Sequence, residues 1–429
     1  STWLSTPGRN NPENPLMELH EGNTKRQLHR ILGRINIGYD LPWGIKYNAN
    51  LGYVKVDHYS KDFKHAMYTY NPKTLERKNF SAYVSAKDWD NNAINYTFYN
   101  TLSWGKSFGG NHNFNVMVGT EYKRYDGKNF QAKKRDYFNN QLTALSVGST
   151  MEDISGGSSL ELLFSYFGRI TYDYKEKYLI DVTARYDGSS KFAPENRWGW
   201  FPSVSVGWNV SNESFWNAEK TDLKIRASYG RTGNQDGISN YGWQALISGG
   251  VNYGGQSGIA ISSSGNDRLT WETADQYNAG FDLSFLGGKI NMIADVYLKN
   301  TNNLLYSKPV HATTGETSIL SNIGSMRNKG VEFTINTHLN LGKVLWSSSF
   351  NIARNVNKLT SLLEDDLLSI GANRALKLGR TVGSWYIFRT DGIYQYDGEV
   401  PQALYDKGVR AGDVKYWDRN GDGNITDDD

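Results

Sequence analysis

Residues 160–210 read LELLFSYFGRITYDYKEKYLIDVTARYDGSSKFAPENRWGWFPSVSVGWNV. From residue 178 to residue 186 every second side chain is apolar or aromatic, and from residue 181 the side chains between them are polar or charged. The apolar set is Tyr178, Ile180, Val182, Ala184 and Tyr186, and the polar set is Asp181, Thr183 and Arg185. A period of two indicates a β-strand whose two faces meet different surroundings.

The preceding run, residues 164–174, alternates in the same way. Gly168, Ile170 and Tyr172 lie on one predicted face, and Arg169, Thr171 and Asp173 lie on the other. Only a tight polar link around Lys175 and Glu176 separates the two runs. The pair therefore predicts a hairpin of strands about ten residues long. A tilted strand of that length spans a bilayer.

The same signal recurs along the chain as six hairpins, or about twelve strands. The predicted pairs are residues 31–39 with 45–53, 94–104 with 114–122, 164–174 with 178–186, 204–210 with 223–229, 277–285 with 290–298, and 331–341 with 346–352. Short links alternate with long polar loops, an asymmetry typical of outer-membrane barrels. The sequence therefore predicts an all-β fold, a transmembrane antiparallel up-and-down β-barrel with short periplasmic turns and long extracellular loops. About twelve or more strands of a larger barrel are present.

Composition narrows the function classes. The 47 basic and 44 acidic residues nearly balance and form no basic run, so no nucleic-acid partner is expected. Cysteine is absent, which excludes disulfides and any Cys-based metal site or nucleophile. No apolar run approaches the roughly 18 residues of a transmembrane helix. The seven histidines form no H-E-x-x-H motif, and no G-x-S-x-G elbow or phosphate-binding Gly loop is present, so we do not expect an enzyme.

Aromatic residues are abundant, with 28 Tyr, 13 Trp and 17 Phe. Many of them stand beside the short links, as Trp104, Tyr174 and Tyr178 do, and rings at that level suit the headgroup interface of a membrane. The alternative is that the aromatic content is simply that of a β-rich protein.

Several stretches resemble SusC/RagA-type TonB-linked outer-membrane transporters. Residues 167–215 (FGRITYDYKEKYLIDVTARYDGSSKFAPENRWGWFPSVSVGWNVSNESF) and 223–235 (LKIRASYGRTGNQ) resemble the barrel signature of that family. The later stretches LTWETADQYNAGFDLSFLGGKINMIADVYLKNTNNLLY, SNIGSMRNKGVEFTINT and GDVKYWDRNGDGNI are similar to its later strands and acidic loop. The resemblance covers most of residues 164–429, and residues 1–160 match only in pattern.

The resemblance implies active import of nutrient oligomers, oligosaccharide or peptide, across the outer membrane of a Gram-negative bacterium. It further implies a plugged barrel in outer-membrane lipid, energised by the TonB complex and closed by a SusD-like surface lipoprotein. Barrels of this family have about 22 strands. The plug domain and TonB box have no counterpart in this sequence, which also lacks a signal-peptide pattern. We therefore expect residues 1–429 to be part of one barrel domain of a longer protein.

An EF-hand-like acidic loop is predicted at residues 418–429, which read DRNGDGNITDDD. The pattern D-x-[DN]-x-[DN]-G, with an acid at the twelfth position, provides the oxygen ligands that Ca²⁺ prefers. The predicted ligands are the side chains of Asp418, Asn420 and Asp422, the backbone carbonyl of Asn424, and the carboxylate of Asp429. The ion would stiffen an extracellular loop. The alternative is a solvated acidic turn.

Five aromatic residues of the long loops are candidate substrate contacts: Trp198, Trp200, Tyr241, Trp243 and Tyr253. Their rings suit stacking on sugars or packing against a peptide. The alternative is that they pack the loops against one another. Two other functions are compatible with the sequence. One is a passive porin or structural outer-membrane barrel, and the other is a soluble β-protein that binds glycans or calcium.

Overall fold

Twelve long strands dominate the computed structural model of the chain. The structure describes residues 22–426 except residues 66, 71–73, 75–76, 82–83, 312, 314–315, 363–366, 370–372 and 423. The long strands are β1 (Gly22–Asp40), β2 (Ile45–Lys64), β3 (Ser85–Phe108), β4 (His112–Arg135), β5 (Thr150–Tyr174), β6 (Tyr178–Ser189), β7 (Trp198–Asn209), β8 (Asp222–Asn234), β9 (Glu272–Phe285), β10 (Ile290–Asn302), β11 (Ser325–Leu341) and β12 (Val344–Ser361).

These strands form one sheet in which each strand pairs with its neighbours in sequence. Every pairing is antiparallel, from β1 with β2 through to β11 with β12. β1 and β12 are the two edge strands. The predicted all-β, up-and-down architecture of about twelve strands is therefore confirmed.

The register places the alternating residues on two unlike faces. Val182 on β6 lies opposite Ile170 on β5 and Val204 on β7, so apolar side chains form a continuous band across neighbouring strands. Ile170 and Val182 are 47% and 40% exposed, and no second layer of sheet or helix from the described residues covers them. We call the side with this band the apolar face and the opposite side the polar face. The sheet thus exposes its apolar face, whereas a soluble β-sandwich buries the apolar faces of its two sheets against each other.

The strands extend further than their alternation predicts. β3, β4 and β5 have 24, 24 and 25 residues, whereas the pattern predicts strands of about ten. The sequence pattern predicts loops at residues 58–92 and 123–159, between the predicted strands. Much of both segments is strand instead. A segment wet on both faces needs no apolar alternation, and hydrogen bonding between neighbouring strands is sufficient to extend it.

The link between β5 and β6 is a tight turn, as predicted. Lys175 and Glu176 both have left-handed backbone conformations, with φ of 53° and 55°. Two consecutive positive φ angles are typical of the type I′ turn, whose twist matches that of a hairpin. The Glu176 amide donates to Asp173 Oδ1 over 3.0 Å, which supports this turn. Neither of these two turn residues is a glycine, so both have a strained backbone conformation. The pairing of β5 with β6 offsets this strain.

Loop lengths follow the predicted alternation with one exception. The long-loop end of the sheet carries the connections 65–84, 136–149, 235–271 and 303–324. The connection between β6 and β7, residues 190–197, is at the same end but is shorter than the 210–221 link at the short-turn end. Residues 187–189 and 198–201, which the sequence pattern assigns to that loop, belong to the strands instead.

Smaller hairpins decorate the long-loop end and the segment beyond β12. They pair Met67–Tyr70 with Arg77–Ser81, Leu246–Tyr253 with Gln256–Ser263, Leu305–Pro309 with Ser318–Asn322, Leu367–Ser369 with Arg374–Lys377 and then Ser384–Trp385, and Thr390–Ile393 with Val414–Tyr416. The helix Gln402–Tyr405 and single 3₁₀ turns at Pro42–Gly44, Leu145–Val147, Pro194–Asn196, Val210–Asn212 and Asp397–Glu399 complete the described elements. Within the described ranges, no helix has the length and apolarity needed to cross a membrane.

Glu213 fastens the link between β7 and β8 to the neighbouring hairpin. Its carboxylate accepts hydrogen bonds from the Tyr178 hydroxyl at 2.7 Å, from Lys177 Nζ at 2.9 Å and from Trp208 Nε1 at 3.2 Å. These donors, the Tyr178 hydroxyl first and Lys177 next, lower the pKa of Glu213 to about 2. A carboxylate with a lowered pKa stabilises the fold above its ordinary pKa, and this contribution is lost as the pH falls toward 2.

We therefore expect Glu213→Gln to be less stable than the wild type at pH 7, with the difference closing between about pH 4.5 and pH 2. Thermal unfolding of the detergent-solubilised protein across this range measures the effect. The same difference in midpoint at pH 7 and at pH 2 would contradict the assignment.

Candidate functional site

A compact apolar cluster anchors the connections at the long-loop end. Phe192, Phe201, Ile238, Leu269 and Trp271 pack together and are almost fully buried. Phe192 comes from the 190–197 connection, Phe201 from β7, and the other three from the 235–271 connection. The Trp271 Nε1 donates to the Arg197 carbonyl over 3.0 Å. The cluster therefore holds two connections and the rim of the sheet as one unit.

Close backbone approach makes room for this cluster. A side-chain Cβ at Gly233 on β8 would stand 2.2 Å from the Phe201 ring, and one at Gly199 on β7 would stand 2.5 Å from it. Both distances are impossible for real atoms, so the ring lies directly over two glycines. Glycine at these two strand positions leaves the space that the Phe201 ring occupies.

Asparagine side chains fasten the 303–324 connection to the same unit. Asn322 forms a reciprocal pair with the backbone of Thr270, because its Nδ2 donates to the Thr270 carbonyl and its Oδ1 accepts from the Thr270 amide, each at 2.8 Å. Asn266 Nδ2 donates to the Leu320 carbonyl at 2.9 Å. The 235–271 and 303–324 connections therefore present one joint surface.

A groove of about 680 Å³ lies between these two connections. Its lining combines one indole ring with polar and charged groups: Trp243, Ser264, Asn266, Asp267, Arg268, Ser321 and Asn322. Trp243 is half-buried, and its Nε1 donates to the Ser190 carbonyl at 3.3 Å, which fixes the ring at the edge of the groove. A fixed aromatic ring beside amide, carboxylate and guanidinium groups suits stacking on a sugar or packing against a peptide side chain.

The polar face carries networks of ion pairs that join several strands. Arg226 on β8 donates to Asp295 on β10 at 2.6 and 2.7 Å and to Asp282 on β9 at 3.3 Å. Arg185 on β6 binds Glu121 on β4 and Asp187 on its own strand. These charges satisfy one another on a half-buried, water-accessible surface, which is the chemistry of a polar barrel interior.

Comparison with known proteins identifies the family to which this chain belongs. The family model described as "TonB dependent receptor-like, beta-barrel" matches residues 2–427. The chain belongs to this family. It is a barrel segment of the outer membrane of a Gram-negative bacterium, with its apolar face toward lipid and its polar face toward the lumen. The soluble alternative is thereby excluded.

Two curated receptors illustrate the relationship. TonB-dependent receptor P3 of Formosa agariphila is 33% identical over 355 residues, which cover 78% of this chain and 35% of that protein. TonB-dependent receptor SusC of Bacteroides thetaiotaomicron is 28% identical over 452 residues, covering 99% of this chain and 42% of that protein. The expected likeness to SusC/RagA-type transporters is confirmed. The chain spans between a third and a half of the length of these relatives.

Solved structures show the same fold. A chain of the RagAB peptide transporter superposes with a TM-score of 0.83 at 23% identity, covering 93% of this chain and 44% of that one. The outer-membrane transporter YddB from Escherichia coli superposes with a TM-score of 0.56 at 13% identity, covering 84% of this chain and 47% of that one. The twelve-stranded sheet therefore has the fold of one part of such a transporter barrel.

Two of the five predicted substrate contacts lie on the lipid-facing side of this barrel. Trp198 and Trp200 share the parity of Val204 and stack on Tyr186, with both ring centroids 4.7 Å from it. They form an aromatic level near the long-loop end. The opposite level, beside the short turns, includes the stacked Tyr174 and Tyr178 rings, whose centroids are 6.3 Å apart, a position that suits the headgroup interface.

The other predicted substrate contacts belong to the 235–271 connection. Tyr241 is partly exposed, and its hydroxyl accepts a hydrogen bond from the Leu160 amide at 3.1 Å. Trp243 lines the groove. Tyr253 ends the strand Leu246–Tyr253 and pairs with Gln256 through the backbone, and its side chain lies outside the described part. The structure thus brings Trp198 and Trp200 together on one face but places Trp243 elsewhere, and the substrate role of all five stays a prediction.

Four of the five predicted calcium ligands lie on one tight turn beyond β12. Asp418 Oδ1 accepts from the Gly421 amide at 2.6 Å, Asn420 Oδ1 from the Asp422 amide at 2.9 Å, and Asp422 Oδ1 from the Asn424 amide at 2.7 Å. Asp429 lies outside the described residues. Among described residues alone, no group of three or more His, Cys, Asp or Glu side chains gathers at metal-binding distance. The calcium site stays a prediction.

Apart from Trp243, the sequence did not indicate the residues that line the groove. Asn266 and Asn322 follow no periodic pattern, and their role depends on two connections that meet only in the folded chain. For Trp198 and Trp200 the sequence does predict the face of the strand. Both lie an even number of residues from Val204, and such residues share a face.

Proposed function

We propose that this chain forms part of the barrel wall of a TonB-energised importer of nutrient oligomers, either oligosaccharides or peptides. The family match over residues 2–427 is the observation that carries the proposal. One structural neighbour is a chain of the RagAB peptide transporter, and SusC is among the curated relatives. In this proposal the protein works with the TonB complex, through a part outside this chain, and beneath a SusD-like surface lipoprotein.

The groove beside Trp243 is the surface that we propose contacts the substrate. It lies between two connections at the long-loop end of the sheet, and its ring and polar groups suit both sugars and peptides. The side-chain amides of Asn266 and Asn322 already donate to backbone carbonyls of the two connections. We therefore expect the ligand to contact Trp243, Asp267 and Arg268.

Trp243→Ala in the intact transporter should weaken substrate uptake about ten-fold at limiting concentration, equivalent to roughly 1.4 kcal/mol of lost contact energy. Uptake of labelled oligosaccharide and peptide mixtures by cells that carry each variant measures the effect. Trp346→Ala is the matched control, because it also removes an indole but from the lipid-facing side of β12, beside a short turn. Equal losses of uptake in the two variants, at equal surface abundance, would refute the groove as the contact surface.

A passive porin is the second candidate function, since the polar face alone suits a water-filled channel. The two functions differ in their dependence on energy. Import through a TonB-dependent receptor ceases when the TonB complex is deleted or the proton gradient is collapsed, whereas diffusion through a porin continues. Uptake that survives both treatments would favour the porin. Co-purification of a surface lipoprotein with the intact transporter tests the proposed lid separately.

We also propose that Ca²⁺ stiffens the acidic loop at residues 418–429. The loop supplies carboxylates at Asp418 and Asp422 and an amide at Asn420, and these alternate along a turn that their own side-chain oxygens close. Hard oxygen ligands at this spacing suit Ca²⁺.

Isothermal calorimetry of the intact protein should detect one Ca²⁺ site that the double variant Asp418→Asn with Asp422→Asn lacks. Asp391→Asn, an exposed carboxylate outside the loop, is the control and should bind as the wild type does. Absence of calcium heat in the wild type would remove the proposal.

A further inference from the structure

Four basic side chains lie together on the lipid-facing side of β11 and β12, near the long-loop end. They are Arg327 and Lys329 on β11 and Arg354 and Lys358 on β12, and all four are exposed. The lipid-facing positions of β10, β11 and β12 carry no acidic residue, because Asp295 and Glu332 have the opposite parity and point to the lumen side. We call these four residues the basic patch.

Several basic residues on the lipid-facing side of other strands have carboxylate partners. Lys55 pairs with Asp57 at 3.0 Å, Arg124 with Asp126 at 2.6 Å, and Arg231 with Asp275 at 2.8 Å. Within the described part of the chain, neither Lys329 nor Arg354 has a carboxylate within ion-pairing distance. Lys128 and Lys134 on β4 also lack an ion pair among the residues that the structure describes, but Asp126 shares their face, whereas the basic patch gathers four cations on strands whose lipid-facing positions carry no acid.

The register brings these like charges together. Lys358 lies directly opposite Arg327, and Arg354 lies opposite Val331, one diagonal step from Lys329. Directly opposed like charges destabilise an antiparallel pair. Arg327 is held in place, because its Nε donates to Asn300 Oδ1 on β10 at 2.8 Å. An anion bound from outside the chain would relieve this repulsion.

An apolar groove of about 800 Å³ begins at the basic patch. Its lining is mostly apolar and includes Tyr277, Ala279, Val296, Leu298, Val331 and Val356, with Lys329 and Arg354 at one end. The small side chains of Ala227 and Ala279 lower its floor. Val331 is half exposed although it lies in a sheet, so the groove opens toward lipid.

The depth of the basic patch matches a headgroup. Lys329 stands two residues from Val331, and Arg354 stands two residues from Ile352, on the same face. Two residues of strand cover about 7 Å, and Leu298 and Val356 lie opposite Lys329, so the cations lie at the long-loop margin of the apolar band, where charge on the lipid side costs less than at the midplane. The long-loop end is the extracellular end, and the outer leaflet there consists of phosphorylated glycolipid.

We propose that the basic patch and its groove bind a phosphorylated glycolipid of the outer leaflet. The lipid A phosphate contacts Lys329 and Arg354, with Arg327 and Lys358 adding charge, and one acyl chain occupies the groove. Arginine and lysine at a membrane interface are suited to phosphate, because both form charge-assisted hydrogen bonds to its oxygens. The site does not depend on what the barrel transports.

Native mass spectrometry of the intact transporter in detergent tests the proposal, with phosphorylated lipid A as the probe. The double variant Lys329→Gln with Arg354→Gln should bind it at least ten-fold more weakly than the wild type. Dephosphorylated lipid A should bind both proteins equally weakly. Lys55→Gln, which removes a paired charge from the same face, is the matched control and should bind as the wild type does.

A second variant tests the groove without changing any charge. Ala279→Phe fills the floor and should weaken lipid A binding while leaving heat-modifiable mobility, and hence folding, unchanged. Wild-type affinity in the double variant would overturn the proposal, and so would an equal loss in Lys55→Gln. Phosphatidylglycerol that binds as tightly as lipid A, with the same dependence on Lys329 and Arg354, would overturn the assignment to the outer-leaflet glycolipid.

Discussion

Val182→Arg should abolish assembly of the barrel. Val182 lies in the middle of β6 on the lipid-facing side, between Ile170 and Val204. A guanidinium at the bilayer midplane costs roughly 2–4 kcal/mol, and no acidic residue on the neighbouring strands is in register to receive it. Semi-native gel electrophoresis of outer-membrane fractions measures the result, because folded barrels migrate differently before and after heating. We expect the folded band to disappear.

Thr183→Arg is the matched control, one residue further along the same strand. Thr183 faces the lumen side, where its hydroxyl shares a hydrogen bond with Ser203. The new charge would stand in water beside Asp181 but directly opposite Arg169, so the expected loss is one hydrogen bond and one like-charge contact on a wet face, about 1–2 kcal/mol. The folded band should persist. Equal damage from both substitutions would contradict the assignment of the two faces.

Arg185→Met should produce the largest destabilisation on the lumen side. The guanidinium binds Glu121 on β4, donates to Ser165 Oγ on β5 at 2.7 Å and binds Asp187 at 2.7 Å. Its loss leaves Asp187 without a cation and Glu121 with Lys123 alone, at 3.0 Å, and both carboxylate side chains are less than 15% exposed. Breaking a buried pair costs about 3–5 kcal/mol, and the one-third exposure of Arg185 places the expected loss near the lower value, about 3 kcal/mol.

Arg169→Met provides the comparison. Among the described residues Arg169 has one ion-pair partner, Asp181, and about half of its side chain is exposed, so the loss should stay below about 1 kcal/mol. Urea unfolding of both variants in micelles, followed by tryptophan fluorescence, measures the difference. Similar midpoints for the two variants would mean that the Arg185 network does not hold β4, β5 and β6 together.

The sequence predicted the membrane-spanning part of the sheet well, because there the two faces meet different solvents. The alternation at residues 178–186 assigned both strand and face correctly. It failed where the strands leave the bilayer. Residues 85–92 and 150–159 are strand, yet they lie beyond the apolar band, where both faces are wet and polar residues are tolerated on each. Periodicity marks the lipid boundary rather than the end of the strand.

The candidate site was harder to predict. The groove beside Trp243 depends on Asn322 and Thr270, which are far apart in sequence and meet only because the apolar cluster around Trp271 joins their connections. Composition identified aromatic residues in the loops but did not assign them to faces. Parity did so for Trp198 and Trp200, which continue the lipid-facing row of β7. No comparable periodic signal exists for an irregular connection.

Spin labels placed one at a time along β6 test the central claim most directly, which is that the two faces of each strand meet lipid and an aqueous lumen. The chain has no cysteine, so single cysteines at residues 178–186 can be labelled without removing any from it. In bilayers, labels at Ile180 and Val182 should collide freely with oxygen and be shielded from a water-soluble nickel chelate, while those at Asp181 and Thr183 should show the reverse. Accessibility that does not alternate with a period of two would contradict the account.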